Sequence, residues 1–149
     1  LVEKGADVNK KDKDKMAPIM AALLGESPEE GKLPVVKYLA EKGADLSVQY
    51  TAQGIVFTPL ISAVNSGNLE MTKIFLDKKA DINAGEAKSG VTPLMFAVTH
   101  KDLPLAKYLL EKGADFTKKS NAGATALMIA TYQKDAEMVK LLKSAGAKN

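Results

Sequence analysis

The sequence has no cysteine, no tryptophan, no arginine and one histidine, His100. Without cysteine there are no disulfides and no thiol chemistry, and the redox compartment is unreadable. A single imidazole with no Ser-His-Asp phrase around it leaves little for nucleophilic catalysis. It also falls short of the roughly four ligands that a structural metal site uses. All 21 basic residues are lysine. The forked guanidinium that grips phosphates and reads guanine edges is therefore missing, which argues against specific nucleic-acid recognition. No apolar run approaches the roughly 18 residues of a membrane span. The opening LVEKGAD lacks the basic start and apolar stretch of a secretory signal. It also lacks Met and begins in mid-phrase, as a fragment or processed product would. The expectations are a non-enzyme with no cofactor, no metal, no nucleic acid and no membrane. The compartment is unassigned, with a slight preference for the cytoplasm.

What the chain does have is repetition. LVEKGADVNKK opens it at Leu1, and YLAEKGADLSV, FLDKKADINAG and LLEKGADFTKK follow at Tyr38, Phe75 and Leu109. A worn copy, LLKSAGAKN, begins at Leu141. The Ala of the GAD element, or of its variants KAD and GAK, falls at Ala6, Ala44, Ala80, Ala114 and Ala147, in steps of 38, 36, 34 and 33. A second phrase keeps pace: APIM at Ala17, TPLI at Thr58, TPLM at Thr92 and TALM at Thr125. A period near 33 residues marks stacked supersecondary units.

One unit can be read in detail. Thr92 can accept from the free amides of a helix start, and Pro93 follows where no amide bond is lost. Leu94, Ala97 and Val98 recur at helical spacing, and Lys101 with Asp102 interrupts them. A second helix begins near Leu103 and Pro104, with Leu105, Ala106, Leu109 and Leu110 as its apolar stripe. Gly113 ends it in the left-handed conformation that glycine tolerates. Ala114 to Ser120 then leaves as a polar loop or hairpin. Each helix of about eight to ten residues is marginal alone in water. Neighbouring units must therefore cover one another's apolar faces, and a hydrophobic content of 46% suffices for that.

The phrases TPLMFAVTHKDLPLAKYLLEKGAD and TPLISAVNSGNLEMTKIFLDKKADIN resemble ankyrin repeats, and the resemblance covers the whole chain. It implies an all-α solenoid of stacked helix-turn-helix units with short β-hairpin loops. The chain then reads as one domain, 1–149, with a remnant at 1–10 and repeats at 11–47, 48–83, 84–117 and 118–149. The family also implies non-catalytic protein-protein interaction, through a concave face of hairpin tips and first-helix ends. Carried over residue by residue, that face holds Lys13, Asp14 and Met16, then Ile55, Phe57, Asn65 and Ser66. Lys88, Ser89, Val91, Thr99 and His100 follow, and Asn121, Ala124, Tyr132 and Gln133 complete it. The implied partner is another protein, and the chain itself is expected to be a monomer. An alternative is a targeting or scaffold fragment of a larger, possibly enzymatic, multidomain protein. A passive spacer is a third reading, against which the apolar Phe57 and Val91 argue.

Several features depart from the family pattern. Met20, Ile61, Met95 and Met128 replace the family's histidine in TPLH, so apolar contacts are expected where that histidine would bond. Lys79 stands where Gly5, Gly43, Gly113 and Gly146 stand, and a left-handed Lys79 would be strained by roughly 1 kcal/mol. The first full repeat is longer between its helices, through GESPEEGKLP at Gly25 to Pro34. Glu29 and Glu30 are accordingly expected in a solvated, charged loop. The same stretch fails as a phosphate loop, because Gly25 and Gly31 are one residue too far apart and Leu33 stands where Ser or Thr should bind the metal. The second repeat carries SVQYTAQGIVF, Ser47 to Phe57, which alternates around a glycine as an enlarged hairpin would. NKKDKDK, Asn9 to Lys15, alternates charge and reads as a solvated turn. Tyr38, Phe75 and Tyr108 share a second-helix position and read as packing residues. Phe57 and Tyr132 divide evenly between packing and partner contact.

Overall fold

The structure, a computed structural model, describes residues 6–25, 29–52 and 54–148. Residues 1–5 of the remnant, 26–28 of the first insertion, 53 of the second insertion and 149 of the closing phrase lie outside the described residues. Short first helices alternate with longer second helices: α1 (Pro18–Leu24) with α2 (Glu29–Glu41), then α3 (Pro59–Asn65) with α4 (Leu69–Asp77). Pairs α5 (Pro93–Thr99) with α6 (Leu103–Glu111) and α7 (Ala126–Tyr132) with α8 (Ala136–Ser144) follow. Among the described residues the only sheet is the antiparallel pair β1 (Tyr50–Ala52) and β2 (Ile55–Phe57), in the register Tyr50 opposite Phe57. Gly54, at φ +82°, makes the turn between them. The all-α expectation and the enlarged hairpin are both observed.

Side-chain caps set the helix starts. The hydroxyls of Thr58, Thr92 and Thr125 accept from the backbone N–H three residues on, at 3.2, 3.3 and 3.2 Å. Asn68, Asp102 and Asp135 do the same for the second helices, each at 3.0 Å. Each bond satisfies one of the amides that a helix start leaves free. Ala17 caps α1 with no side-chain bond. The second helices stop at left-handed residues: Gly43, Gly113 and Gly146, and Lys79 at φ +66°. Lys79 thus keeps the glycine conformation despite its Cβ.

The first insertion differs from its expected form. Leu33-Pro34 aligns with Leu103-Pro104, where α6 starts, yet α2 starts four residues earlier at Glu29. Glu29 and Glu30 therefore belong to an extra first turn rather than to a loop. The extension leaves Pro34 inside α2, where its missing N–H costs a backbone bond.

The chain divides into two compact units, Leu1–Ala63 with Asn68–Ala80, and Val64–Gly67 with Asp81–Asn149. In the first, α1 packs on α2 and α2 on α4. Asn9 ties its loop to the next by accepting from Asp45 N–H at 2.7 Å and donating to the Gly43 carbonyl at 3.2 Å. In the second, α5 packs on α6 and on α7, and α8 packs on α7 and on α6. There Asn83 accepts from Asp115 N–H at 2.8 Å. Met20, Ile61 and Met95 are buried, so apolar packing occupies the position of the family's histidine. Met128 is the exception, and is exposed.

Candidate functional site

Two sets of the expected site residues come together within the second unit. The first lies at loop tips. Glu86 is a buried carboxylate, 3% exposed, beneath the loop 86–91. It accepts from Lys88 N–H at 3.1 Å and Ser89 N–H at 2.7 Å, and from the Ser89 hydroxyl. The backbone closes the same loop, with Glu86 N–H donating to the Val91 carbonyl at 2.9 Å. Charge-assisted bonds of this kind fix a tip firmly. The following tip closes through Ser120 N–H to the Ala124 carbonyl at 2.9 Å. Asn121 then joins the two tips. Its backbone N–H donates to the Ser89 carbonyl and its Nδ2–H to the Lys88 carbonyl, each at 2.8 Å. Lys88, Ser89 and Asn121 are thus neighbours, with Val91 and Ala124 half-buried at the ends of their loops.

The second set lies at first-helix ends. His100 Nε2 and Asn65 Oδ1 are 3.2 Å apart. Gln133 Nε2–H donates to the Thr99 carbonyl at 2.9 Å. Asn65, Ser66, Thr99, His100 and Tyr132 are exposed, and Tyr132 is 90% exposed. Side-chain bonds therefore run from one first-helix end to the next. A groove of about 600 Å³ joins the two sets, lined by Thr99, Ala124, Met128, Ile129, Tyr132 and Gln133. None of these side chains carries a charge at neutral pH, so the groove suits an apolar group. The Gln133 Oε1 atom is buried without a hydrogen-bond partner.

In the first unit Lys13 and Asp14 are exposed on a tip that Asp12 closes, its Oδ1 accepting from Asp14 and Met16 N–H at 2.9 Å each. Met16 and Ile55 are half-buried. Phe57 is 8% exposed, so its ring packs in the protein and is not offered to a partner. In the hairpin Phe57 stands opposite Tyr50.

Met128, Ile129 and Glu86 were not among the expected site residues. Met128 carried no distinguishing signal, because its counterparts Met20, Ile61 and Met95 are core residues. Glu86 could have been found from its register, since it starts its loop where Asp12 starts another.

Two aspartates lie at the turns that leave the second helices. The Thr117 hydroxyl, then the Thr117 backbone N–H, stabilises the Asp115 carboxylate and holds it below its usual value. The Ser47 hydroxyl and then its N–H do the same for Asp45. Such bonds favour the charged form.

Comparisons with known proteins agree with this architecture. Residues 29–120 and, overlapping them, 86–149 match the profile of a family described as "Ankyrin repeats (3 copies)". The chain is 36% identical over 85 residues to "Ankyrin repeat and SAM domain-containing protein 6" of Rattus norvegicus, and 40% identical over 85 residues to the protein of that name from Mus musculus. Each match covers 57% of this chain and 9% of the relative, so the chain spans less than a tenth of the length of these relatives.

Proposed function

The chain belongs to the ankyrin repeat family, and we propose that it is a non-catalytic docking module that binds another protein along its hairpin tips and first-helix ends. Ankyrin repeats are in general protein-interaction modules. The observation that carries the specific reading is the groove beside Tyr132. A large aromatic ring stands in solvent next to an uncharged groove, at the end of a line of bonded helix ends. Exposed aromatic rings beside apolar pockets commonly dominate binding energy. The bonds from Asn121 to Lys88 and Ser89, and from Gln133 to Thr99, hold this edge before a partner arrives, which limits the entropy lost on binding.

The binding residues are then Lys88, Ser89, Val91, Thr99, His100, Asn121, Ala124, Tyr132 and Gln133, with Asn65 and Ser66. Lys13, Asp14, Met16 and Ile55 hold the corresponding positions in the first unit. Phe57 is left out because it is buried. The test is to select peptides from a random-sequence display library on the intact chain and map the strongest by NMR. Shifts at Asn65, Thr99, His100, Tyr132 and Gln133 support the reading. Shifts confined to residues outside these sets overturn it.

A second reading is a docking part of a longer multidomain protein. The relatives' name includes a SAM domain, and the match covers 9% of their length. The complete reading frame of the source transcript decides it.

A further inference from the structure

Glu86 is the one charged side chain that is buried among the described residues. Burying a carboxylate is unfavourable unless hydrogen bonds replace its water. Here the replacements include bonds from its own loop: the N–H groups of Lys88 and Ser89, at 3.1 and 2.7 Å, and the Ser89 hydroxyl. None of these three bonds reaches a helix. The start of α5 has its own cap in Thr92, which accepts from Met95 N–H. The loops that begin at Asp12 and Ser120 close on acceptors that are easier to keep. Asp12 is exposed, and the uncharged Ser120 hydroxyl accepts from Ala124 N–H at 3.2 Å.

Lys88 and Ser89 are also held from their carbonyl side. Asn121 Nδ2–H donates to the Lys88 carbonyl and Asn121 N–H to the Ser89 carbonyl, each at 2.8 Å. Glu86 thus grips the amides of a two-residue tip whose carbonyls Asn121 grips from the next repeat. The fit leaves no slack. A Cβ at Gly90 would lie 2.8 Å from Asn121 Oδ1 and 3.2 Å from its N, and one at Gly85 would lie 2.9 Å from the Gly90 carbonyl oxygen. The loop that holds Asn121 ends at Ala124, in the wall of the groove beside Gln133.

We propose that Glu86 is a positioning residue of the docking edge. It sets the conformation of the Lys88–Ser89 tip, Asn121 latches onto that conformation, and the loop from Asn121 to Ala124 carries it to the groove. Partner affinity then depends on a carboxylate that no partner touches. The inference rests on the docking reading above and adds what holds the edge in its binding shape. An edge held in this way loses little freedom when a partner arrives.

The probe is a labelled, display-selected peptide whose NMR shifts map to Thr99, Asn121 and Gln133. Its affinity and association rate are measured by stopped-flow fluorescence on the intact chain and on Glu86→Gln. That variant keeps the side-chain shape but places an amide where a carboxylate oxygen accepted. Binding is expected to weaken by about fivefold, with slower association, because a loosened tip must be ordered again. Helicity should not change, while the amides of Lys88, Ser89 and Asn121 should exchange faster in the free protein. Glu86→Asp keeps the charge but is one methylene short, and should weaken binding as Glu86→Gln does. Gly90→Ala pushes Asn121 away without altering the carboxylate, and should weaken binding likewise. Equal affinity in Glu86→Gln, for a peptide that maps to the edge, overturns the proposal and leaves the docking reading standing. A loss that comes only with lost helicity makes Glu86 a plain structural residue and also overturns it. Full affinity in Glu86→Asp beside a loss in Glu86→Gln would mean that the partner senses the charge, and would overturn it too. Peptides that map only outside the edge overturn the docking reading and this inference together.

Discussion

Gln133 reaches across one repeat to bond the carbonyl of Thr99 through its Nε2–H, at 2.9 Å, while its Oε1 has no partner. The side chain is thus half satisfied. One net hydrogen bond contributes about 1 kcal/mol, and an unpaired buried acceptor costs a similar amount. Gln133→Ala is therefore expected to change stability by less than about 1 kcal/mol in a urea titration. A much larger loss would make this contact a structural strut rather than an edge held ready for a partner.

Lys79 occupies the left-handed position that glycine fills in the other repeats, at φ +66°. Its Cβ is strained there, and glycine has no such penalty although it loses more backbone entropy on folding. Lys79→Gly is expected to raise stability by up to about 0.5 kcal/mol, the strain of roughly 1 kcal/mol less the entropy cost of glycine. A melting temperature that stays level or falls would refute this.

Ala17 begins α1 with no side-chain bond, whereas Thr58, Thr92 and Thr125 cap the other first helices. Ala17 and Thr92 are buried to the same extent, so a threonine fits this class of site. Met20 N–H already donates to the Ala17 carbonyl at 2.9 Å, so the hydroxyl of Ala17→Thr would share that donor and should add less than about 1 kcal/mol. Amide exchange at the third residue of α1, Met20, should slow. An unchanged exchange rate would show that the hydroxyl does not reach.

Asp115 is held below the usual carboxylate value of 3.8, first by the Thr117 hydroxyl. Asp45 is lowered in the same way by Ser47. A carboxylate whose folded pKa lies below its unfolded one stabilises the fold above the unfolded value. That contribution is lost as the pH falls through the lower folded value. Thr117→Val should raise the Asp115 midpoint toward 3.8 in a carboxyl carbon NMR titration and leave Asp45 in place. Equal movement of both would assign the shifts to global unfolding.

Much of this architecture was legible because it is local. The threonine caps, the proline after Thr92, the glycine stops and the hairpin around Gly54 depend on nearby chemistry, and they appear where the residues place them. The left-handed Lys79 followed from register alone. What was not legible depends on neighbours. Met128 and Met95 share the same phrase, yet one is core and the other open, because a repeat pattern says which side chain fits a face and not whether the face is covered. Phe57 reads equally as an anchor or a packing residue until its burial is known. The extra turn of α2 was hidden by Pro34, whose counterpart Pro104 stands at the start of α6 while Pro34 itself lies inside α2. Glu86 was overlooked because the bonds that hold it include backbone amides and the Ser89 hydroxyl, which no phrase announces.

The most direct test of the docking account is the affinity of a library-selected peptide for the intact chain and for the His100→Ala, Tyr132→Ala double variant, measured by calorimetry with circular dichroism as the fold control. Removing the exposed Tyr132 ring together with His100, whose Nε2 lies 3.2 Å from Asn65 Oδ1, should weaken binding by about tenfold or more at unchanged helicity. Equal affinity with the fold intact would contradict the assignment of the first-helix ends and the Tyr132 groove as the partner site.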